Sequence, residues 1–172
     1  IHKGYYTQKD IKEIVIHAKN RFITIIPEIE FPCHSTAALA SYPELSCTGG
    51  PFTIKQKWGI FKEAYCVGNK NSYTFMNDVL NEVIQLFPSK HIHIGGDECK
   101  TSRWEECDKC NRLMKEKKYT DHMQLQDHFI NTIEAFLNSK KRNMIGWEET
   151  VRSSLQKRTI IQVWKNKDKV LE

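Results

Sequence analysis

Apolar and polar positions along the chain change period several times, and the changes mark out its elements. Thr7-Gln8-Lys9-Asp10 has the form of a helix start, with Thr7 as cap and Asp10 reaching back. Ile11, Ile14, Val15 and Ala18 then recur on one helical face, which Asn20 or Arg21 ends. Phe22-Ile23-Thr24-Ile25-Ile26 is a continuous β-branched and aromatic run, the pattern of a strand in a parallel sheet covered on both faces. Polar groups crowd after it: Glu28, Glu30 and His34. Residues 35–41, with Ala37, Ala38, Leu39 and Ala40, predict a short helix. Residues 43–71 have no clean period and hold Gly49, Gly50, Pro51, Gly59 and Gly68; a loop of that length in a compact domain is usually functional. Ser72 opens the next helix, with Phe75, Val79, Leu80, Val83, Ile84 and Phe87 on its face and Pro88 beyond its end.

The second half repeats the alternation. Residues 91–94 predict a strand, which runs into Gly95-Gly96-Asp97-Glu98. Residues 104–117 read as one weakly patterned helix. Asp121 caps a longer helix that buries Leu125, Phe129, Ile130, Ile133, Phe136 and Leu137. A strand over 143–147 ends in Glu148-Glu149, and a short polar link leads to a fourth strand over 159–164. Strands alternating with helices predict an α/β fold with a parallel sheet. No glycine-rich phosphate fingerprint follows any strand, which argues against a nucleotide fold. Each strand ends instead in charged or aromatic residues, the arrangement of a (β/α)8 barrel whose site is assembled from several strand ends. A full barrel takes ~250 residues and eight strands, so the four strands here predict a partial barrel.

Composition changes this picture little. The chain is 40% hydrophobic and 27% charged over 172 residues, enough to bury a core. The net charge of +5 is scattered, and its densest run, residues 115–118, includes Glu116 at a helix end. No nucleic-acid partner is expected. No apolar run reaches the length of a membrane span. The chain starts in mid-pattern at Ile1 without an initiating Met, as a mature product or an excised piece would. Six cysteines stand at 33, 47, 66, 99, 107 and 110. Cys107-x-x-Cys110 with Cys99 nearby has the flavour of a zinc site, but structural zinc wants four ligands and no fourth is evident. The expectation is plain thiols or one or two disulfides, with Cys47 and Cys66 the first pair to join because they flank the glycine-rich loop.

The stretch His91-Ile92-His93-Ile94-Gly95-Gly96-Asp97-Glu98 places two carboxylates where a strand should end. Two carboxylates hydrolyse a glycosidic bond when one is protonated and the other charged, and in ordinary retaining enzymes they stand ~5 Å apart across that bond. Sequence neighbours do not straddle a bond in that way. They suit a division of labour, one as acid to the leaving oxygen and the other steering a group of the substrate itself. His93-Ile94-Gly95-Gly96-Asp97-Glu98 resembles the core signature of the family 20 glycoside hydrolases, the β-N-acetylhexosaminidases. Three further segments resemble the same family in the same order: residues 27–34, residues 145–149 and residues 161–164.

The resemblance implies a fragment of the family's catalytic barrel, residues 1–172 holding about its third to sixth strands and truncated at both ends. It implies Glu98 as general acid and later base, and Asp97 as the group that orients the substrate's 2-acetamido arm over an oxazolinium intermediate. Trp147 and Trp164 would wall the acetamido pocket. Glu30 and His34 would hydrogen-bond in series toward Glu98, and His93 would be a structural hydrogen-bonding residue. No cofactor or metal is implied. The partners would be N-acetylhexosamine-terminated glycans, and a secreted, periplasmic or lysosomal location is expected. Cys33 stands where the family has Gly; if that position needs a positive φ, the His34 loop is shifted. Taken alone, Trp147 and Trp164 also suit core aromatics, and His34 a structural histidine. Two other readings stay open: a metal-dependent hydrolase using His91, His93, His34 and Asp97, and a non-catalytic carbohydrate-binding or structural fragment. With four strands of eight, the isolated chain should be inactive and should self-associate.

Overall fold

The computed structural model describes residues 4–151 and 158–165. Helix α1 (Gln8–Lys19) begins at the expected capping box, in which Thr7 and Asp10 each accept from the other's backbone N–H. Helix α2 (Thr36–Ser41) and a single 3-10 turn (Pro43–Leu45) lead into the long loop, and helix α3 (Lys70–Leu86) follows. Strand β1 (His91–His93) is next, then helices α4 (Ser102–Glu105), α5 (Asp108–Lys117) and α6 (Met123–Ser139). Strand β2 (Asn143–Trp147), a 3-10 turn (Glu148–Thr150) and strand β3 (Ile160–Gln162) complete the described elements.

The strands lie parallel in the order β1-β2-β3. His93 pairs with Ile145 in one ladder, and Ile145 with Ile160 in the next. A parallel bridge from Glu28 to His93 adds one more segment beside β1, fixed by Ile29 N–H to His93 O at 2.9 Å and Phe31 N–H to Ile94 O at 3.0 Å. All four segments therefore point their carboxyl ends the same way. One apolar cluster backs the sheet, with Ile92, Ile94 and Met144 meeting Phe129, Ile133 and Leu137 of α6 and Met76 and Leu80 of α3.

Three expectations need correcting. The run 22–26 is not a strand: Phe22 is wholly exposed, Ile23 and Ile26 are about half exposed, and pairing with β1 starts only at Pro27. Its apolar character calls for cover that no described element supplies. The helix expected over 104–117 is two helices, α4 and α5, separated by Glu106 and Cys107, with the backbone turning extended at Cys107. Cys47 and Cys66 are not joined; the disulfide runs from Cys33 to Cys99, and the other four cysteines are free. Among the described residues no helix is long and apolar enough to cross a membrane.

Candidate active site

Backbone conformation sets the site at the end of β1. Gly95 and Gly96 both have positive φ, and a Cβ on Gly95 would lie 1.9 Å from a carboxylate oxygen of Glu30. Only glycine lets the Glu30 carboxylate seat against that turn. Gly96 is held from the other side, where Gln126 of α6 donates to its carbonyl at 2.8 Å. The turn delivers Asp97 and then Glu98, itself at φ 51, a left-handed conformation uncommon for a non-glycine residue. Such outliers cost about 1–3 kcal/mol and persist where surrounding structure over-determines them.

His34 comes from the loop after the edge segment and meets both carboxylates. Its Nε2 lies 3.4 Å from Asp97 Oδ2 and 3.6 Å from Glu98 Oε2. The Cys33–Cys99 disulfide joins the residue before His34 to the residue after Glu98, so it pins the two loops at the point where they converge. The left-handed residue of the first loop is His34 and not Cys33, so a cysteine at 33 carries no positive-φ strain. Glu30 does not extend the chain from His34. It faces Gly95, Gly96 and the Asp97 side instead, and Glu30 Oε2 is buried without a hydrogen-bond partner among the described residues.

Charge is tuned by burial here. Burial first, then the negative charge of Asp97 and the hydrogen bond with Glu28, push the Glu30 carboxyl up to about 8, against a lowering contribution from the Gly96 N–H. Burial also raises Asp97, opposed by backbone hydrogen bonding and by His34. Asp97 Oδ1 is buried and unpartnered among the described residues. His93 is buried and accepts the Gly95 N–H at Nδ1 over 3.0 Å, and the same nitrogen lies 3.3 Å from Glu28 Oε1. Desolvation lowers the pKa of His93, opposed by the negative charges of Glu28 and Asp97.

Trp147 and Trp164 stand side by side at the ends of β2 and β3, ring centroids 6.0 Å apart. Trp147 Nε1 donates to Glu28 Oε1 at 3.0 Å, and its ring meets His93 edge-on at 5.0 Å. Half of Trp164 remains exposed, so this pair is an open wall and not a sealed core contact. The structure thus brings Glu98, Asp97 and His34 together, with Glu30 and His93 beneath the turn and the two tryptophans on the β2–β3 side. The groups that reach ligand distance of one another here are His34, Asp97 and Glu98, and neither His91 nor His93 joins them. The four-ligand set of the metal-hydrolase reading is therefore not assembled.

Several participants were given no role from sequence, although Glu28 and Glu148 stood among the polar strand ends. Lys165 Nζ donates to Glu98 Oε1 at 2.8 Å and to Glu149 Oε1 at 3.2 Å, and lies 3.9 Å over the Trp164 ring. Glu148 is buried and accepts the Lys165 backbone N–H at 2.9 Å, which ties the end of β3 to that of β2. Glu28 joins Trp147 to the His93 side of the turn. Proximity to Trp164 was a usable signal for Lys165. Nothing in the pattern of α6 marked Gln126, a polar residue on a buried face.

Known proteins match this arrangement along the whole chain. Residues 1–172 match the profile described as glycosyl hydrolase family 20, catalytic domain. The β-hexosaminidase of Porphyromonas gingivalis is 40% identical over 167 residues, covering 97% of this chain and 22% of that protein. The β-hexosaminidase of Vibrio furnissii is 38% identical over 165 residues, covering 95% of this chain and 27% of that protein. The crystal structure of a β-N-acetylhexosaminidase from Bacteroides fragilis superimposes with a TM-score of 0.89 at 33% identity, over 98% of this chain and 34% of that one. The chain thus spans about a quarter of the length of these two sequence relatives. On this evidence the chain belongs to glycosyl hydrolase family 20 and lies within its catalytic domain.

Proposed function

We propose that this chain is the third-to-sixth-strand segment of a (β/α)8 catalytic domain in an exo-acting β-N-acetylhexosaminidase. Its parent releases terminal β-linked N-acetylglucosamine or N-acetylgalactosamine with retention of configuration. The observation that carries the proposal is the adjacency of Asp97 and Glu98 on one glycine-built turn, with Asp97 Oδ1 buried and without a donor among the described residues. A carboxylate oxygen in that state needs an N–H, and the substrate's acetamido group has one.

In this mechanism Glu98 gives its proton to the glycosidic oxygen as the bond to the anomeric carbon breaks. The acetamido oxygen attacks that carbon from the opposite face and forms the oxazolinium ring. Asp97 accepts from the acetamido N–H, which turns the oxygen toward the carbon and stabilises the developing positive charge. Glu98 then takes a proton from water, the water adds to the anomeric carbon, and the ring opens. Two inversions give retention. Trp147 and Trp164 would enclose the acetamido methyl, excluding water from the competing face. Lys165 would release Glu98 when substrate enters. The Cys33–Cys99 disulfide fits an oxidising compartment.

The 172-residue chain by itself should be inactive and self-associating. Exposed Phe22 and Ile23 flank one end of the sheet, and Ile160 and Val163 the other, and unpaired edges recruit further strands. A chromogenic β-N-acetylglucosaminide assayed against the parent and the isolated chain at matched concentration, with light scattering, tests both statements. The expected result is turnover by the parent only and a scattering mass above one chain. A monomeric fragment with parent-like turnover would contradict the assignment of the domain.

A further inference from the structure

Away from the carboxylates, the structure gathers four cysteines from three places in the chain. Cys47 follows the 3-10 turn Pro43–Leu45, Cys66 ends the same long loop, and Cys107 and Cys110 open α5. Their sulfurs all lie within 4.8 Å of one another. Cys47 is 3.8 Å from Cys110, Cys66 is 3.7 Å from Cys107, and Cys66 is 3.8 Å from Cys110. Cys66, Cys107 and Cys110 are buried, and none of the four is in a disulfide. We propose that Cys47, Cys66, Cys107 and Cys110 form a structural zinc site.

The spacing argues for a metal over a sulfur–sulfur bond. Zinc binds thiolates at about 2.3 Å, and a tetrahedron with that radius has edges of about 3.8 Å. The three measured separations fall on that value. A disulfide would bring two of the sulfurs to about 2.0 Å and turn them away from the others. Four cysteine sulfurs also complete the ligand count with no open position, so the site is structural and not catalytic.

The surroundings are built to hold this arrangement. Cys107 caps α5 and Cys110 lies three residues on, so both sit at the start of one helix and face the same way. The positive end of a helix dipole favours thiolates there. Gly68 presses the loop backbone onto that helix start: a Cβ on it would fall 2.3 Å from the Lys109 carbonyl and 2.6 Å from the Cys110 nitrogen. The Gly68 N–H donates to the Cys110 sulfur, the kind of outer contact that orients a metal ligand. The same loop is joined to α4 by Trp104 Nε1 donating to Tyr65 O at 3.0 Å and by the Arg103–Glu63 ion pair at 3.2 Å. Zinc would thus fasten the loop that follows the His34 segment to the helices that follow Glu98. The disulfide does the same work at the site itself.

The test is the metal content of the full-length protein, purified without chelators, then stripped, reduced and titrated with Zn2+ before gel filtration. One zinc per chain is expected in both preparations, with four thiols released together when a mercurial ejects the metal. Cobalt substitution should give the absorption of a tetrahedral all-thiolate site. Cys110→Ser should lose most of the zinc, whereas the double change Cys33→Ser/Cys99→Ser should keep it. Should a serine variant fail to fold, the wild-type titration still decides. A folded, reduced wild-type protein that retains less than half an equivalent after titration overturns the proposal. So does peptide mapping that finds these four cysteines paired as two disulfides.

Discussion

The carboxylate turn and the cysteine cluster are opposite kinds of polar site. The turn is open to solvent on one side and incompletely satisfied: Glu30 Oε2, Asp97 Oδ1 and His93 Nε2 are all buried without hydrogen-bond partners among the described residues. The thiol cluster is closed, and each of its four sulfurs has another within 3.8 Å. A buried polar atom without a partner costs about 1–3 kcal/mol. Such atoms are retained where a substrate will complete them, while a cluster whose ligands all come from the chain holds the fold together. Substitutions on the turn should therefore reduce chemistry more than stability, and substitutions around the cysteines should do the reverse.

The largest effect is expected at Glu98. In the full-length enzyme Glu98→Gln should lower kcat roughly 10²–10⁴-fold, the usual worth of general acid–base catalysis. Aryl glycosides with good leaving groups should lose less in the first step than unactivated ones, and thermal stability should change little. Steady-state kinetics over a series of aglycones check this; equal losses across the series would remove Glu98 from the acid role.

On the other side of the comparison, Gly68→Ala should destabilise the fold by roughly 1–3 kcal/mol, the usual range for forcing atoms into filled space. The contact is with the backbone of Lys109 and Cys110, which no rotamer can relieve. Denaturant melts of the full-length protein measure the loss. The kcat of the folded fraction should stay close to wild type, since Gly68 touches nothing on the turn.

A smaller effect is expected from Glu30 on the pH dependence of stability. Its pKa is about 8 when folded against an ordinary 4.5. Between these values the folded chain holds a proton that the unfolded chain has lost, so stability is full below about 4.5 and declines as pH rises toward 8. Glu30→Gln keeps a neutral group in the same place and should flatten that decline. Tm measured across the window in both proteins decides, and an unchanged slope would assign the pH dependence to other groups.

The same contrast explains what could be read from the chain. The turn is contiguous, so eight residues displayed a strand, two glycines and two carboxylates in order. Helices α3 and α6 were legible because Leu80, Val83, Phe129, Ile133 and Leu137 recur at helical spacing and are all buried. Ser72 and Met76 were not on the expected face of α3, yet both are fully buried: the Ser72 hydroxyl donates to the Cys66 carbonyl, and Met76 belongs to the main apolar cluster. The cysteine cluster draws residues from positions 47 to 110, and only Cys107-x-x-Cys110 has a local spacing to notice. Cys99, the tempting third ligand, is taken by Cys33. The run 22–26 misled for a different reason: an apolar pattern states a demand for burial, and the partner that meets it need not lie in the stretch being read. Lys165 and Gln126 reach the turn only through tertiary contact, which no spacing encodes.

The central claim is that the substrate's own acetamido oxygen is the nucleophile, steered by Asp97. Aryl N-acetyl-β-glucosaminides bearing zero to three fluorines on the acetyl methyl test it most directly, because each fluorine weakens that oxygen as a nucleophile and leaves the glycosidic bond alone. For the full-length enzyme the account predicts a kcat/KM that falls steeply and progressively with each fluorine. A rate indifferent to fluorination, or equal turnover of the plain β-glucoside, would contradict it.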